Sequence, residues 1–160
     1  MAVLPIKYLP DPILRKKALP ISKIDQLITA LIGDMLDTMR EAGGIGLAAN
    51  QVGELLRLAV IEIPEEPPLI LINPEVTRRV GIREVEEGCL SVPGYSGVVN
   101  RSIKTRVKAM DRNGVPFRVN AEGLLAQALE HEIDHLDGVL FIDHLINPNA
   151  LTHSSETRSG

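Results

Sequence analysis

Gln127-Ala128-Leu129-Glu130-His131-Glu132-Ile133-Asp134-His135-Leu136 is the stretch on which the fold depends. With Leu124 and Leu125 it is apolar around much of a helical circumference. The reading is therefore a helix from about Glu122 to Leu136, stopped by Gly138 and buried on most sides. A helix this apolar carries His131, Glu132, Asp134 and His135 only if those polar groups have partners. Residues four apart lie one above the other, so both imidazoles reach a single metal ion. Glu132, about 100° round the helix from His131, is close enough to contact water at that metal. Neutral imidazoles suit Zn²⁺, Fe²⁺ or Ni²⁺, and the adjacent carboxylate can serve as general base.

A helix buried on most sides requires layers that cover it. Ile24, Leu27, Ile28, Leu31, Ile32, Met35, Leu36 and Met39 form one continuous helical stripe, which predicts a second, amphipathic helix over 24–39. Ser22 is its candidate N-cap and Gly43-Gly44 its stop. Short aliphatic runs at 57–63 and 69–72, and a β-branched run at 76–85, read as strands. Ile103, Thr105, Val107 and Ala109 alternate with Lys104, Arg106 and Lys108, the mark of a half-solvated antiparallel strand. Asn113-Gly114 turns it into a partner over 115–119. The fold class is α+β: antiparallel sheets around a buried C-terminal metal-binding helix, with an amphipathic helix near the N-terminus. A single domain is expected over 1–147, followed by a polar, aperiodic and disordered tail over 148–160.

Bulk properties bound the function. The chain has 160 residues, 44% hydrophobic and 24% charged, with a net charge of -4, which is an ordinary globular balance. Aromatics make up only 2%, so base stacking is no major activity, and no net basic excess announces a nucleic-acid partner. One cysteine rules out an internal disulfide. No apolar run is long enough to cross a bilayer, and Met1 to Lys17 lacks the apolar core of a signal peptide. A cytoplasmic protein without a membrane partner is the plain reading.

Two imidazoles leave the site one protein ligand short of the usual catalytic three. Downstream, Phe141 stands where one protease pattern places a third His, and Glu156 lies in the polar tail. Asp137, Asp143 and His144 are within reach in sequence but match no known spacing. Upstream, Cys89 in Glu87-Gly88-Cys89-Leu90-Ser91 is the candidate: a thiolate with two imidazoles makes a tetrahedral site with one position left for water. Gly88 beside it permits close backbone approach. The third segment is Gly44-Ile45-Gly46-Leu47-Ala48-Ala49-Asn50-Gln51. Its two glycines around one Ile allow an extended backbone that pairs with a second chain. It lacks the third glycine of a nucleotide loop and follows a helix rather than a strand.

These three segments, with Leu9-Pro10-Asp11-Pro12-Ile13-Leu14-Arg15 before them, resemble the peptide deformylases over about residues 4–145. The resemblance implies that Cys89, His131 and His135 hold a metal, ferrous iron in the native family enzymes, with zinc, nickel or cobalt as substitutes. It implies a water attacking the formyl carbon of a formyl-methionyl nascent peptide, with Glu132 moving the proton. The side-chain amide of Gln51 and the backbone N–H of Leu90 would hold the oxyanion. Gly44, Ile45, Gly46 and Gly88 would meet the peptide backbone, and Ile45, Val85, Leu124, Ala128 and the His131 ring would wall the methionine pocket. Formate and a free amino terminus are the products. Some family members also dock transiently on the ribosome through a basic C-terminal helix, whereas here the tail after Asn147 offers only Arg158 as a firm cation.

Overall fold

The computed structural model describes residues 2–153. In chain order the elements are α1 (Gln26–Glu41), β1 (Gly46–Ala48), β2 (Leu58–Ile61), β3 (Leu69–Val80), β4 (Arg83–Cys89), β5 (Val92–Arg101), β6 (Lys104–Met110), β7 (Pro116–Glu122), α2 (Gly123–Leu136) and β8 (Thr152–His153), with short 3-10 turns between them. Every strand pair is antiparallel: one sheet runs β1-β2-β3-β6-β7 and a smaller one β4-β5-β8. The architecture is α+β, as the patterning requires. Among the described residues, no helix is long and apolar enough to cross a membrane.

Strand periodicity explains how both helices share one sheet. In β2, Leu58 and Val60 point toward α1, while Ala59 and Ile61 point toward α2. Ile70 and Ile72 of β3 follow the first pair and Leu71 follows the second. β2 is thus buried on both faces, which its unbroken apolar run Leu58-Ala59-Val60-Ile61 anticipates. A third apolar cluster, Cys89, Val92, Val99 and Phe141, seals the small sheet against the 3-10 turn after α2. The helix carrying the two histidines therefore lies between apolar layers, with Leu129 and Leu136 fully covered.

Several boundaries differ from the expectation. α1 starts at Gln26 because Asp25, rather than Ser22, is the N-cap: its carboxylate accepts from the Ile28 N–H at 3.1 Å. Leu27, counted in the apolar stripe, is 79% exposed. The runs 69–72 and 76–80 are one strand, β3, with a register shift between Ile72 and Glu75 where Asn73-Pro74 interrupts the ladder. The run expected over 76–85 divides at Gly81, whose φ of 72° makes a turn hidden by its β-branched neighbours. β5 was not anticipated, since Pro93, Gly94 and Gly97 mask it. Within the stretch expected as a tail from 148, Thr152–His153 pair with β5 and Leu151 packs on the third cluster. The remainder, 154–160, lies outside the described residues.

Candidate metal centre

Three segments far apart in sequence meet at one point. Cys89 is the last residue of β4, turned inward by a register shift between Gly88 and Cys89. His131 and His135 lie one helical turn apart on the buried face of α2. Nε2 of His135 stands 3.2 Å from the Cys89 sulfur and 3.1 Å from Nε2 of His131. The three donors all lie within 4.8 Å of one another, and all three side chains are buried. Donors on one tetrahedral ion are roughly 3.3–3.6 Å apart, given metal–sulfur and metal–nitrogen bonds near 2.3 and 2.0 Å. The set fits one divalent ion.

Electrostatics support the same fit. Burial pushes the Cys89 thiol up, and the carboxylates of Glu132 and Glu87 push it further. Burial first, then Glu87, also raises the Glu132 carboxyl well above the ordinary carboxylate range. Burial and the neighbouring His131 hold His135 well below the usual imidazole range, so it is neutral with a lone pair to offer. A dication at the centre of this cluster supplies the positive charge that favours thiolate and carboxylate together.

The surrounding polar groups orient the three candidate donors. His131 Nδ1 is 2.7 Å from Oε2 of Glu87, which leaves Nε2 facing the cluster. Glu87 in turn takes two hydrogen bonds from Arg101, at 2.9 and 2.5 Å, and Arg101 reaches Asp134 at 2.8 Å. Burial opposes charge on Glu87, but His131 and Arg101 outweigh it and hold the carboxyl far below its usual range. Asn50 donates to the backbone carbonyl of His135 and so tethers the glycine-rich segment to α2. Glu132 lies beside the donor cluster, its Oε2 4.0 Å from Nε2 of His131. Its Oε1 is buried and has no hydrogen-bond partner among the described residues. Gln51 is oriented from one end, because its Oε1 accepts from the Ala48 N–H at 2.9 Å. Its Nε2 is thereby aimed at Ser91 Oγ, 3.1 Å away, and at the Cys89 sulfur, 3.7 Å away.

Residues 3–151 match the family model described as polypeptide deformylase. The chain belongs to that family. It is 49% identical over 152 residues to a peptide deformylase of Dehalococcoides mccartyi, covering 94% of this chain and 91% of the relative. Among solved structures, the fold is similar to a peptide deformylase from Legionella pneumophila, with a TM-score of 0.88 and 51% identity over 90% of this chain and 86% of that one. It is also similar to a peptide deformylase from Synechococcus elongatus solved in complex with actinonin, at TM-score 0.87 and 48% identity, covering 90% of this chain and 79% of that one.

Other candidates take defined places. Asp137 pairs with Arg57, Asp143 with Arg15 and His144 with Asp134, and among the described residues none of these three joins the cluster; Glu156 lies outside the described residues. Ile45, Leu124, Ala128, His131 and Glu132 line a narrow pocket, joined by Glu87 and Gln127. Val85, on the same face of β4 as Glu87, packs against the third apolar cluster. Gly44 is pressed against Leu90, where an added Cβ would stand 2.7 Å from Cδ1. Gly46 is pressed against Glu132 in the same way. A Cβ there would lie 2.5 Å from Oε2, so Gly46→Ala must displace the carboxylate. The expected result is a loss of about 10²-fold in turnover, the cost of an ångström-scale misplacement. Metal content stays unchanged, and steady-state kinetics with metal analysis check both.

Deformylases of this family are metal-dependent hydrolases, and the wider ring of residues around the candidate donors was less visible in the sequence. Glu87, Arg101, Asp134 and Asn50 form it. The available signal was polar residues inside otherwise apolar segments, a pattern that only burial makes decisive.

Proposed function

We propose that this protein removes the N-formyl group from formyl-methionine at the start of nascent polypeptides, with Cys89, His131 and His135 as metal ligands. The observation that carries this reading is the convergence of a buried S/N/N donor set with the unpartnered carboxylate of Glu132 and the aimed amide of Gln51, in a chain of the deformylase family. When bound, the divalent ion supplies Lewis acidity and makes water nucleophilic near neutral pH. Glu132 takes the proton of the attacking water and delivers it to the leaving amine nitrogen as the C–N bond breaks. The ion's charge would offset the burial and the Glu87 charge that raise the Glu132 carboxyl, leaving it ionised to take that proton. Gln51 Nε2 and the Leu90 backbone N–H donate to the oxyanion that develops on the formyl oxygen. Formate and the free amine leave.

The peptide adds as a strand to the open edge of β1, which pairs on its other side with β2. The Ile45 carbonyl already accepts from the Glu62 N–H at 2.8 Å, so by antiparallel alternation Gly46 turns its N–H and C=O outward. Gly44 and Gly88 flank that track. The pocket of Ile45, Leu124 and Ala128 receives the methionine side chain. Ferrous iron is the proposed native metal, with zinc, nickel or cobalt as substitutes, since the donor set accepts each. The proposed setting is the cytoplasm, with transient contact at the ribosome where nascent chains emerge.

The test is formate release by protein purified without oxygen and loaded with Fe²⁺. A formyl-methionyl tripeptide is expected to yield formate, and its acetyl counterpart no acetate. Absence of formate from folded, metal-loaded protein would reject the assignment.

A further inference from the structure

We propose that the open face of β3, β6 and β7 is a docking surface for the phosphate backbone of double-helical RNA. Three cross-strand rows define it. Glu75, Lys108 and Arg118 stand side by side, then Arg78, Arg106 and Asn120, then Val80, Lys104 and Glu122. All of these residues are exposed. Five cations thus face two carboxylates on one side of a chain whose net charge is -4. The carboxylates are taken up by Lys108 and Lys104, each at 3.5 Å. Arg106 binds the neutral Asn120 at 2.8 Å. The side chains of Arg78 and Arg118 have no partner among the described residues.

A local feature of the backbone makes this charge distribution informative. The register of β3 shifts between Val76 and Arg78. Without that extra residue Thr77 would face Arg106; with it, two arginines stand directly opposite one another, a pairing that opposes sheet stability. The same shift turns Arg79 to the other face, where it pairs with Glu130 of α2 at 2.8 Å. An anion lying across the Arg78–Arg106 row converts the repulsion into binding free energy. Rows lie roughly 7 Å apart along the strands and about 5 Å across them, so the patch spans several backbone phosphates. It bears no aromatic ring for stacking bases, which favours a duplex read through its backbone over a single strand. RNA, rather than DNA, rests on the proposed function: a nascent chain is met on a machine built of RNA. Val80, Ile82 and Ile103 are exposed at one end of the face, which makes an anionic bilayer the competing partner. The cations run the full length of the face, whereas those apolar residues do not.

The test is fluorescence anisotropy of the metal-loaded protein with a short RNA duplex of arbitrary sequence, over a salt series. Binding in the range of roughly 10⁻⁴–10⁻⁶ M is expected, weakening as salt rises. Arg78→Glu combined with Arg118→Glu puts a carboxylate opposite Arg106 and another opposite Lys108, so the fold is kept. Affinity should fall at least about tenfold and the salt slope by about two. Lys16→Glu with Lys17→Glu makes the same change in net charge on another surface and should leave binding unaltered. Formate release should be equal in all three proteins, which separates this result from any failure of the proposed reaction. Equal loss in both double variants, no binding by wild type, or capture by phosphatidylserine vesicles but not by RNA overturns the proposal.

Discussion

Glu132→Ala keeps its metal and releases formate about 10²–10⁴-fold more slowly than wild type, the range by which a positioned acid–base group accelerates proton transfer. The separation of the two effects follows from geometry. Glu132 is 4.0 Å from the nearest ligand nitrogen of His131, next to the donor triangle but outside it. Its Oε1 makes no hydrogen bond to the described protein, so its removal leaves no broken network behind. A buried carboxyl with burial and Glu87 both opposing its charge costs stability, and its truncation should leave unfolding resistance unchanged or raised. Metal analysis, kcat and urea unfolding on one preparation give all three readings. Loss of metal in this variant would assign Glu132 to ligation instead of proton transfer.

Arg101→Ala is expected to destabilise the metal-loaded protein by about 3–5 kcal/mol, the cost of leaving a buried charge without its partner. Arg101 is 5% exposed and holds Glu87 through two hydrogen bonds and Asp134 through a third. Without the guanidinium, Glu87 keeps His131 as its cationic partner only if that ring is protonated, a state in which Nε2 cannot ligate. Metal affinity should therefore fall by roughly 10–100-fold along with stability, as for other groups that orient a metal ligand. Glu87→Gln combined with Arg101→Met removes both charges and should recover most of the stability but not the metal affinity. Urea unfolding and competition with a chelator measure the two quantities. A stability change below about 1 kcal/mol in Arg101→Ala, the value of an ordinary surface pair, would contradict this role.

Periodic segments were legible in the sequence, and punctuated ones were not. The alternation from Lys104 to Ala109 and the apolar wrap of 123–136 each declared their element, since one period accounts for every residue. In β5, Pro93 sits at the strand start and Gly97 lies against Leu145. Both read locally as turn residues, although the pairing with β4 makes them strand residues. The N-terminus of α1 was misjudged because Ser22 and Asp25 are both capping types, and only the Asp25 carboxylate reaches an orphan N–H.

The same distinction applies at the site. Cys89, His131, Glu132 and His135 could be named as candidates because their residue types carry chemistry at telling spacings, whereas Gln51 was named only through the family resemblance. Val85 stands two residues before Glu87 on β4, on the same strand face, and packs against the third apolar cluster. Arg101 was missed because its partners Glu87 and Asp134 are 14 and 33 residues away. The basic rows on β3, β6 and β7 were hidden by a net charge of opposite sign, and no single segment contains them.

X-ray absorption at the metal edge of the Fe²⁺- or Zn²⁺-loaded protein, with Cys89→Ala alongside, tests whether this cluster holds the metal. One sulfur and two imidazole nitrogens are expected in the wild type, with the sulfur contribution gone and the metal weakly held in the variant. A wild-type shell of nitrogen and oxygen alone, unchanged by Cys89→Ala, would contradict the assignment of this cluster as the metal centre.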